Sequence, residues 1–335
     1  METRNTLNDM ISFTMLRKAA RKAIRHIVIT ETIARFLSDL DRNLLRLQHS
    51  LLSGSWQPKP MHAFEIRDPK PRLIQAAAIE DRIVHHALCA QLEPIFAQLY
   101  FPNSFACQKG KGNSRAVQQA HTYCREFSYF AKLDIQHYFE SFPHTPFWER
   151  VSPLIEDAQI QNILERLLIH GGNDIGKGLP IGNLTSQHFA NFYLHFFDDW
   201  CTQANIPWIR YMDDILLFSH HKSTLEEAVQ DGSAFLNDVL QLPIKYTAYR
   251  EAHTKKGVPF LGFCIFPHKI HLDGARKRRF FRKMNQAWKN QEDKRVQQSM
   301  QSIIAWTEQG DCIPLRQSWH KRRGETKPQS RQPRW

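Results

Sequence analysis

No two of the six cysteines (Cys89, Cys107, Cys124, Cys201, Cys264 and Cys312) stand close enough for a CxxC clip. That excludes a short-spaced zinc ribbon and leaves isolated reduced thiols, as expected of a cytosolic protein. No stretch approaches the roughly 20 apolar residues of a membrane span. The N-terminus carries Arg17, Lys18, Arg21, Lys22 and Arg25 but no apolar core before a cleavage site, so it does not read as a signal peptide. Glu2 and Asp9 interrupt a transit-type helix there. Internal repeats and an HExxH sequence are absent. Gly171-Gly172-Asn173-Asp174-Ile175-Gly176-Lys177-Gly178 comes close to a P-loop, but its last position is Gly, which lacks the metal-binding hydroxyl. Pro180 then falls where the following helix must begin. His85-His86, His188, His195 and His220-His221 lack partnered zinc spacing and read as structural or surface residues.

What is present is apolar material and positive charge. Hydrophobic residues make up 42% of the 335, including 22 Phe, enough for a sizeable core and against global disorder. The formal net charge is +12, which favours a polyanionic partner, either nucleic acid or an anionic surface. The charge is uneven. Residues 275–335 hold 16 Lys and Arg against 5 Asp and Glu, so the first 274 residues are close to neutral. Binding that depends on such a segment should weaken steeply with salt.

Helical spacing is expected over residues 6–27 and 30–53, with Thr30 as N-cap and Gly54 closing the second helix. Prolines 58, 60, 69 and 71 interrupt the pattern around an extended piece, Met61 to Arg67. Ile79 to Phe96 returns to helical spacing. Tyr129 to Ile135 reads as a buried strand ending in an acid. Further helices are expected over 156–170, 184–200 and 275–307. Trp208 to Phe218 reads as strand, turn, strand, and Phe260 to Phe266 as another strand. The last residues, from Lys321, are rich in Arg, Lys, Pro and Gln and read as a basic disordered tail.

The chemistry-bearing feature is Asp213-Asp214, set between the apolar runs Ile206–Ile209 and Ile215–Phe218. Carboxylates beside buried β-structure are costly unless they meet a cation. A tight hairpin aims both acids at one place. Asp134 ends a separate apolar strand far upstream. Three carboxylates at the ends of adjacent strands suit a pair of Mg²⁺ ions, with Mn²⁺ as a possible substitute. One ion would lower the pKa of a primer 3′-hydroxyl and the other would steady the triphosphate. Any one of these acids alone would read as an ordinary turn residue.

Tyr211-Met212-Asp213-Asp214 resembles the active-site sequence of reverse transcriptases, and the other motifs occur in that family's order. Pro69-Lys70-Pro71-Arg72-Leu73-Ile74, followed by Glu80-Asp81-Arg82-Ile83-Val84, is similar to the fingers segments. Leu133-Asp134-Ile135 with Tyr138-Phe139 resembles the first palm motif, and Phe260-Leu261-Gly262-Phe263 the primer-grip turn. The fourth motif is Gly178-Leu179-Pro180-Ile181-Gly182-Asn183-Leu184-Thr185-Ser186-Gln187. It carries Ile181 where most of the family has Gln and Gln187 where most has Pro. In this it resembles the reverse transcriptases of diversity-generating retroelements.

That resemblance implies an RNA-directed DNA polymerase that miscopies template adenines. Its cDNA then diversifies a target gene by mutagenic retrohoming. It also implies a bacterial or prophage setting. The implied partners are a template RNA, the RNA–cDNA duplex, dNTPs and a small, basic, helical, oligomeric accessory variability protein, with no membrane. Asp134 and Asp213 would be direct metal ligands, with the Ile135 carbonyl as a further oxygen donor. Asp214 would contribute charge more than coordination. Phe139 would reject a 2′-hydroxyl, or be a core Phe. Lys70 and Arg72 would clamp the triphosphate, or be a solvated surface pair. Ile181, Gly182 and Gln187, with Tyr211 and Met212, would line the nucleotide and template pocket. Lys245 would serve the pyrophosphate, or be an ordinary surface Lys. Leu261 and Gly262 would form the primer grip.

The expected architecture is α+β: a right-hand polymerase whose antiparallel palm sheet is backed by helices. Fingers are expected from 1–128 with the insert 146–183, palm from 129–145 and 184–269, thumb from 270–320, and a tail from 321–335. In the thumb, the Phe281 and Trp288 spacing suggests an apolar face turned inward. No RNase H, zinc-finger endonuclease or integrase pattern is present. A group II intron or retron-type reverse transcriptase is the nearest alternative. A catalytically inactive RNA-binding protein of the same fold is the alternative of another class.

Overall fold

The computed structural model describes residues 6–25, 27–67, 71–172, 176–245, 250–289, 294–308 and 310–321. Lys70 and the tail from 322 onward lie outside the described residues. The chain divides into two compact units. Unit 1 comprises 1–102, 135–200 and 231–245; unit 2 comprises 103–134, 201–230 and 246–335. Both are built from helices and antiparallel sheets.

In unit 1 the expected first helix is two, Leu7–Ile11 and Phe13–Ala23, because Ser12 takes non-helical φ −51° and ψ 143°. The second is also split, into Glu31–Ser38 and Leu40–Leu52, at Asp39. Thr30 caps as expected, accepting from the Ile33 N–H at 3.4 Å. The helix Phe13–Ala23 lies against Ile79–Leu99, a long helix buried along most of its length. Leu184–Tyr193 packs on the same helix, and Phe96 stacks on Phe192 with centroids 4.2 Å apart. Two strands, β1 (His62–Arg67) and β2 (Pro71–Ala76), form an antiparallel hairpin. Pro71 at the start of β2 suits an edge, where a missing N–H costs little.

Unit 2 holds a four-stranded antiparallel sheet in the order β4-β5-β3-β6. These strands are β3 (Tyr129–Asp134), β4 (Trp208–Tyr211), β5 (Asp214–Ser219) and β6 (Arg250–His253). Pleating alternates the side chains. One face presents Phe130, Leu216, Phe218 and Ile209, which pack with the helix Asn113–Glu126 and a second sheet into one apolar core. That second sheet is β7 (Val258–Phe260), β8 (Phe263–Phe266) and β9 (Lys269–Leu272). The expected single strand from Phe260 to Phe266 is therefore two strands around a turn at Leu261-Gly262. The helix Gly274–Lys289 buries Phe280, Met284 and Ala287. Its inward stripe thus runs through those residues; Phe281 is half-buried at its margin and Trp288 is 38% exposed.

Candidate active site

The site grows from strand ends in unit 2. Tyr129–Asp134 is apolar enough to sit at the centre of a sheet, and its last residue reaches the sheet's edge. The antiparallel register sets Asp134 directly opposite Asp214, and Tyr211 opposite Asp214 on the other side. Met212 and Asp213 are the two-residue loop between β4 and β5. Met212 takes φ +53°, a left-handed conformation that is costly for a side chain of its size. The turn is held in place. Arg210, fully buried, donates to the Met212 carbonyl at 3.3 Å and to Ser104 Oγ at 3.0 Å. Ser104 is in turn fixed: its carbonyl accepts from Gln108 Nε2 and Lys111 Nζ at 2.9 and 2.7 Å. Cys107 Sγ lies 3.9 Å from Met212 Sδ.

The two adjacent acids have different surroundings. Lys132, two residues before Asp134 and so on the same strand face, places its Nζ 2.7 Å from Asp214 Oδ1. The same ammonium donates to the Pro259 carbonyl at 3.3 Å. The Leu261 N–H also donates to the Asp214 carboxylate. Burial pushes the Asp214 carboxyl above its ordinary value, Lys132 and the Leu261 N–H pull it back, and Asp134 adds to the rise. Asp214 is thus committed to partners within the protein. Asp213 and Asp134 are half-buried.

Among the described residues no group of three or more His, Cys, Asp or Glu converges as a metal cage. The Asp214 carboxylate is turned to Lys132 and Leu261. Asp134 and Asp213 carry hard carboxylate oxygens of the kind Mg²⁺ takes and could hold a divalent ion. Ile135 follows Asp134 in the chain and pairs with Ile244 in unit 1.

Leu261, expected in the primer grip, sits beside Asp214. Leu261 and Gly262 form the β7–β8 turn with φ of +47° and +77°. The φ of +77° at Gly262 is what strains any side chain there; the atoms a Cβ would meet belong to Arg276, a flexible side chain that can move aside.

Unit 1 gathers the other candidates. Gln75 on the β1–β2 hairpin donates its N–H to the Ile181 carbonyl at 2.9 Å. Gly182 takes φ +117°, and a Cβ there would lie 2.8 Å from the Ile74 methyl. Arg72 is exposed on the same hairpin, opposite Ile66. Phe139 is half-buried, and its carbonyl accepts from the Leu179 N–H at 2.6 Å. Gln187 is exposed on the helix Leu184–Tyr193. Lys245 is exposed at the end of a segment of this unit.

Sequence reasoning missed Lys132, Arg210 and Arg276. Lys132 had a signal, a lone cation in an apolar strand at the same parity as Asp134. Arg210 had one too, a cation inside a run otherwise read as buried.

Residues 58–265 match the family described as Reverse transcriptase (RNA-dependent DNA polymerase). Protein YkfC of Escherichia coli (strain K12) is 23% identical over 263 residues, 64% of this chain and 69% of that protein. The telomerase of Candida tropicalis, solved with the TWJ fragment of telomeric RNA, superposes with TM-score 0.51 at 10% identity. That match covers 85% of this chain and 59% of the telomerase. The Candida albicans telomerase, solved with the same type of fragment, gives TM-score 0.50 at 11% identity over 79% of this chain and 55% of that one. At such identities the likeness concerns the fold alone, and the chain spans less than two thirds of either telomerase. Among the described residues no helix is long and apolar enough to cross a membrane.

Proposed function

The chain belongs to the reverse transcriptase (RNA-dependent DNA polymerase) family, and we propose that it is the error-prone enzyme of a diversity-generating retroelement. It copies a template-repeat RNA into cDNA with errors opposite adenine, together with a small basic accessory protein. Residues 1–128 with 146–183 act as fingers, 129–145 and 184–269 as palm, and 270–320 as thumb.

Polymerisation is supported by the acid pair at the β3, β4 and β5 ends. Asp134 and Asp213 would hold the divalent ions. Bound there, Mg²⁺ supplies a lowered pKa at the primer 3′-hydroxyl and charge compensation on the triphosphate. The protein's own part is positional. Arg210 fixes the turn that carries Asp213, and Lys132 neutralises Asp214 so that the site's charge is not excessive. The Leu261 N–H ties the primer-grip turn to the same carboxylate. Primer extension on RNA with dNTPs and Mg²⁺ tests this level. Absence of extension even with the native RNA and accessory protein would favour an RNA-binding protein of the same fold.

The subtype is carried by one observation: Ile181 and Gln187 flank Gly182 in the fourth motif where Gln and Pro are usual. The Ile181 carbonyl is engaged by the hairpin, and on this reading its side chain would face the substrate. An aliphatic side chain offers no hydrogen bond, and loss of one good bond is worth about 1 kcal/mol, several-fold in discrimination. Ile181→Gln should therefore lower misincorporation opposite template adenine by roughly 5- to 10-fold, read by sequencing cDNA. Error rates unchanged at every template base would overturn the assignment.

A further inference from the structure

The β1–β2 hairpin of unit 1 is exposed along most of both strands; only its base, from Ile74 to Ala77, is half-buried or buried. A two-stranded hairpin has little stability of its own in water. The contacts at its base therefore decide where the exposed part, Arg72 included, is held.

Those contacts converge on the fourth motif. The Gln75 N–H donates to the Ile181 carbonyl at 2.9 Å. The Ala77 N–H donates to Asn183 Oδ1 at 3.3 Å, and Asn183 Nδ2 donates to Met61 Sδ at 3.3 Å. Ala77 follows β2 and Met61 precedes β1, so one buried amide, 4% exposed, holds both stems. Asn183 also stands at the N-cap of the helix Leu184–Tyr193. An Asn there ordinarily accepts from an N–H of the first turn of its own helix. Here the side chain makes no such bond, and its amide is turned to the hairpin instead. The motif that receives the hairpin is itself anchored, since Thr185 Oγ1 lies 2.6 Å from His85 Nδ1 and both residues are buried.

We infer that Asn183 is a positioning residue for nucleotide binding: it clamps the hairpin that carries Arg72 to the motif that carries Ile181. The inference rests on the proposed polymerase reading for what Arg72 meets, but not for the clamp itself. The lever is long. Arg72 and Ala76 are both on β2, roughly 13 Å apart along the strand. A swing of about 5° at the base then moves Arg72 by about 1 Å, and a misplacement of that size can cost on the order of 100-fold in rate.

Two measurements on the full chain test this. The first is hydrogen exchange at the backbone amides of β1 and β2. The second is single-nucleotide incorporation on an RNA template with a DNA primer, dNTP and Mg²⁺. In Asn183→Ala, exchange in the hairpin should speed by about fivefold, the equivalent of one lost hydrogen bond, with the helix Ala158–Gly171 unchanged. The KM for dNTP should rise by about tenfold, with kcat and duplex affinity within about twofold of wild type. Asn183→Asp keeps the acceptor for the Ala77 N–H and should bring both readouts back to within about twofold. Added to Arg72→Gln, Asn183→Ala should raise KM by less than about twofold more, because it acts through Arg72. Unchanged hairpin exchange overturns the clamp. A lower kcat at unchanged KM overturns the positioning role, since loss of folded protein alone has that signature. Should Asn183→Ala fail to fold, Gln75→Pro removes the neighbouring bond to Ile181 and should raise KM in the same way; a wild-type KM in that variant overturns the inference. Wild-type protein that extends no primer, with the exchange difference intact, supports the clamp and counts against the polymerase reading alone.

Discussion

Asp214 is held from two sides, and each hold can be broken separately. Its carboxylate meets the Lys132 ammonium at 2.7 Å, and both side chains are about four-fifths buried, at 23% and 22% exposure. Removing one member of such a pair strands the other's charge. Lys132→Met should destabilise the protein by about 3 kcal/mol, at the low end for buried pairs because some solvent reaches both groups. Adding Asp214→Asn should recover about 1 to 2 kcal/mol, a coupling that a double-mutant cycle in urea would measure. Equal losses in the single and double variants would show that the two side chains do not depend on each other. Asp213 sits on the turn that Arg210 supports. The two neighbours differ in setting because Asp213 ends the loop and Asp214 begins β5.

At the scale of elements, the helix Ile79–Leu99 concentrates unusual titrations in one turn and a half. Asp81 accepts from the Lys59 N–H at 2.7 Å, yet burial raises its carboxyl to about 6. Between about pH 4 and 6 the unfolded chain has lost that proton while the folded chain keeps it. The folded state then binds more protons, so this group's contribution falls as pH rises through that window. His85 and His86 act in the opposite sense. Their folded values are depressed, so their contribution grows as pH rises towards 6.5. Asp81→Asn should therefore steepen the gain in stability between pH 4 and 6.5 by about 2 to 3 kcal/mol, read from urea midpoints. An unchanged difference between the two pH values would mean that Asp81 titrates normally. The elements themselves were largely legible. Apolar spacing located most of the helices, and the acid at the end of Tyr129–Asp134 marked the sheet's edge. Boundaries were hidden where apolar spacing runs on through a break, as at Ser12 and Asp39, whose backbone departs without any Gly or Pro. The strand from Phe260 was likewise misread as continuous. Leu261 takes a positive φ there, which its side chain gives no reason to expect. Within the site, spacing and resemblance carried the acids and the fourth motif. They could not carry Lys132, Arg210 or Arg276, whose roles depend on cross-strand register and on contacts between distant segments.

On the scale of the whole molecule, charge and fold are separated along the chain. The region after residue 275 carries nearly all of the net charge of +12, whereas the acids lie in the part that is close to neutral. The helix Gly274–Lys289 shows how one element serves both. Phe280 and Met284 face a small core with Trp319, Ala287 is buried on the same helix, and Lys277, Arg278 and Arg282 stay exposed. Cations on one helix, unopposed by acids on the same stretch, raise the local concentration of a polyanion and speed its arrival. They do little for the final contacts. Replacing Lys277, Arg278 and Arg282 together by Gln should slow association with an RNA–DNA duplex by roughly tenfold at low salt, with dissociation changed far less. The difference should shrink towards nothing near 1 M salt, where the screening length is about 3 Å. Stopped-flow fluorescence at both ionic strengths would follow it. Because the replaced side chains lie off the buried stripe, thermal unfolding should be nearly unchanged. A defect confined to dissociation, or one that persists at high salt, would instead place these residues in direct and specific contact with the duplex.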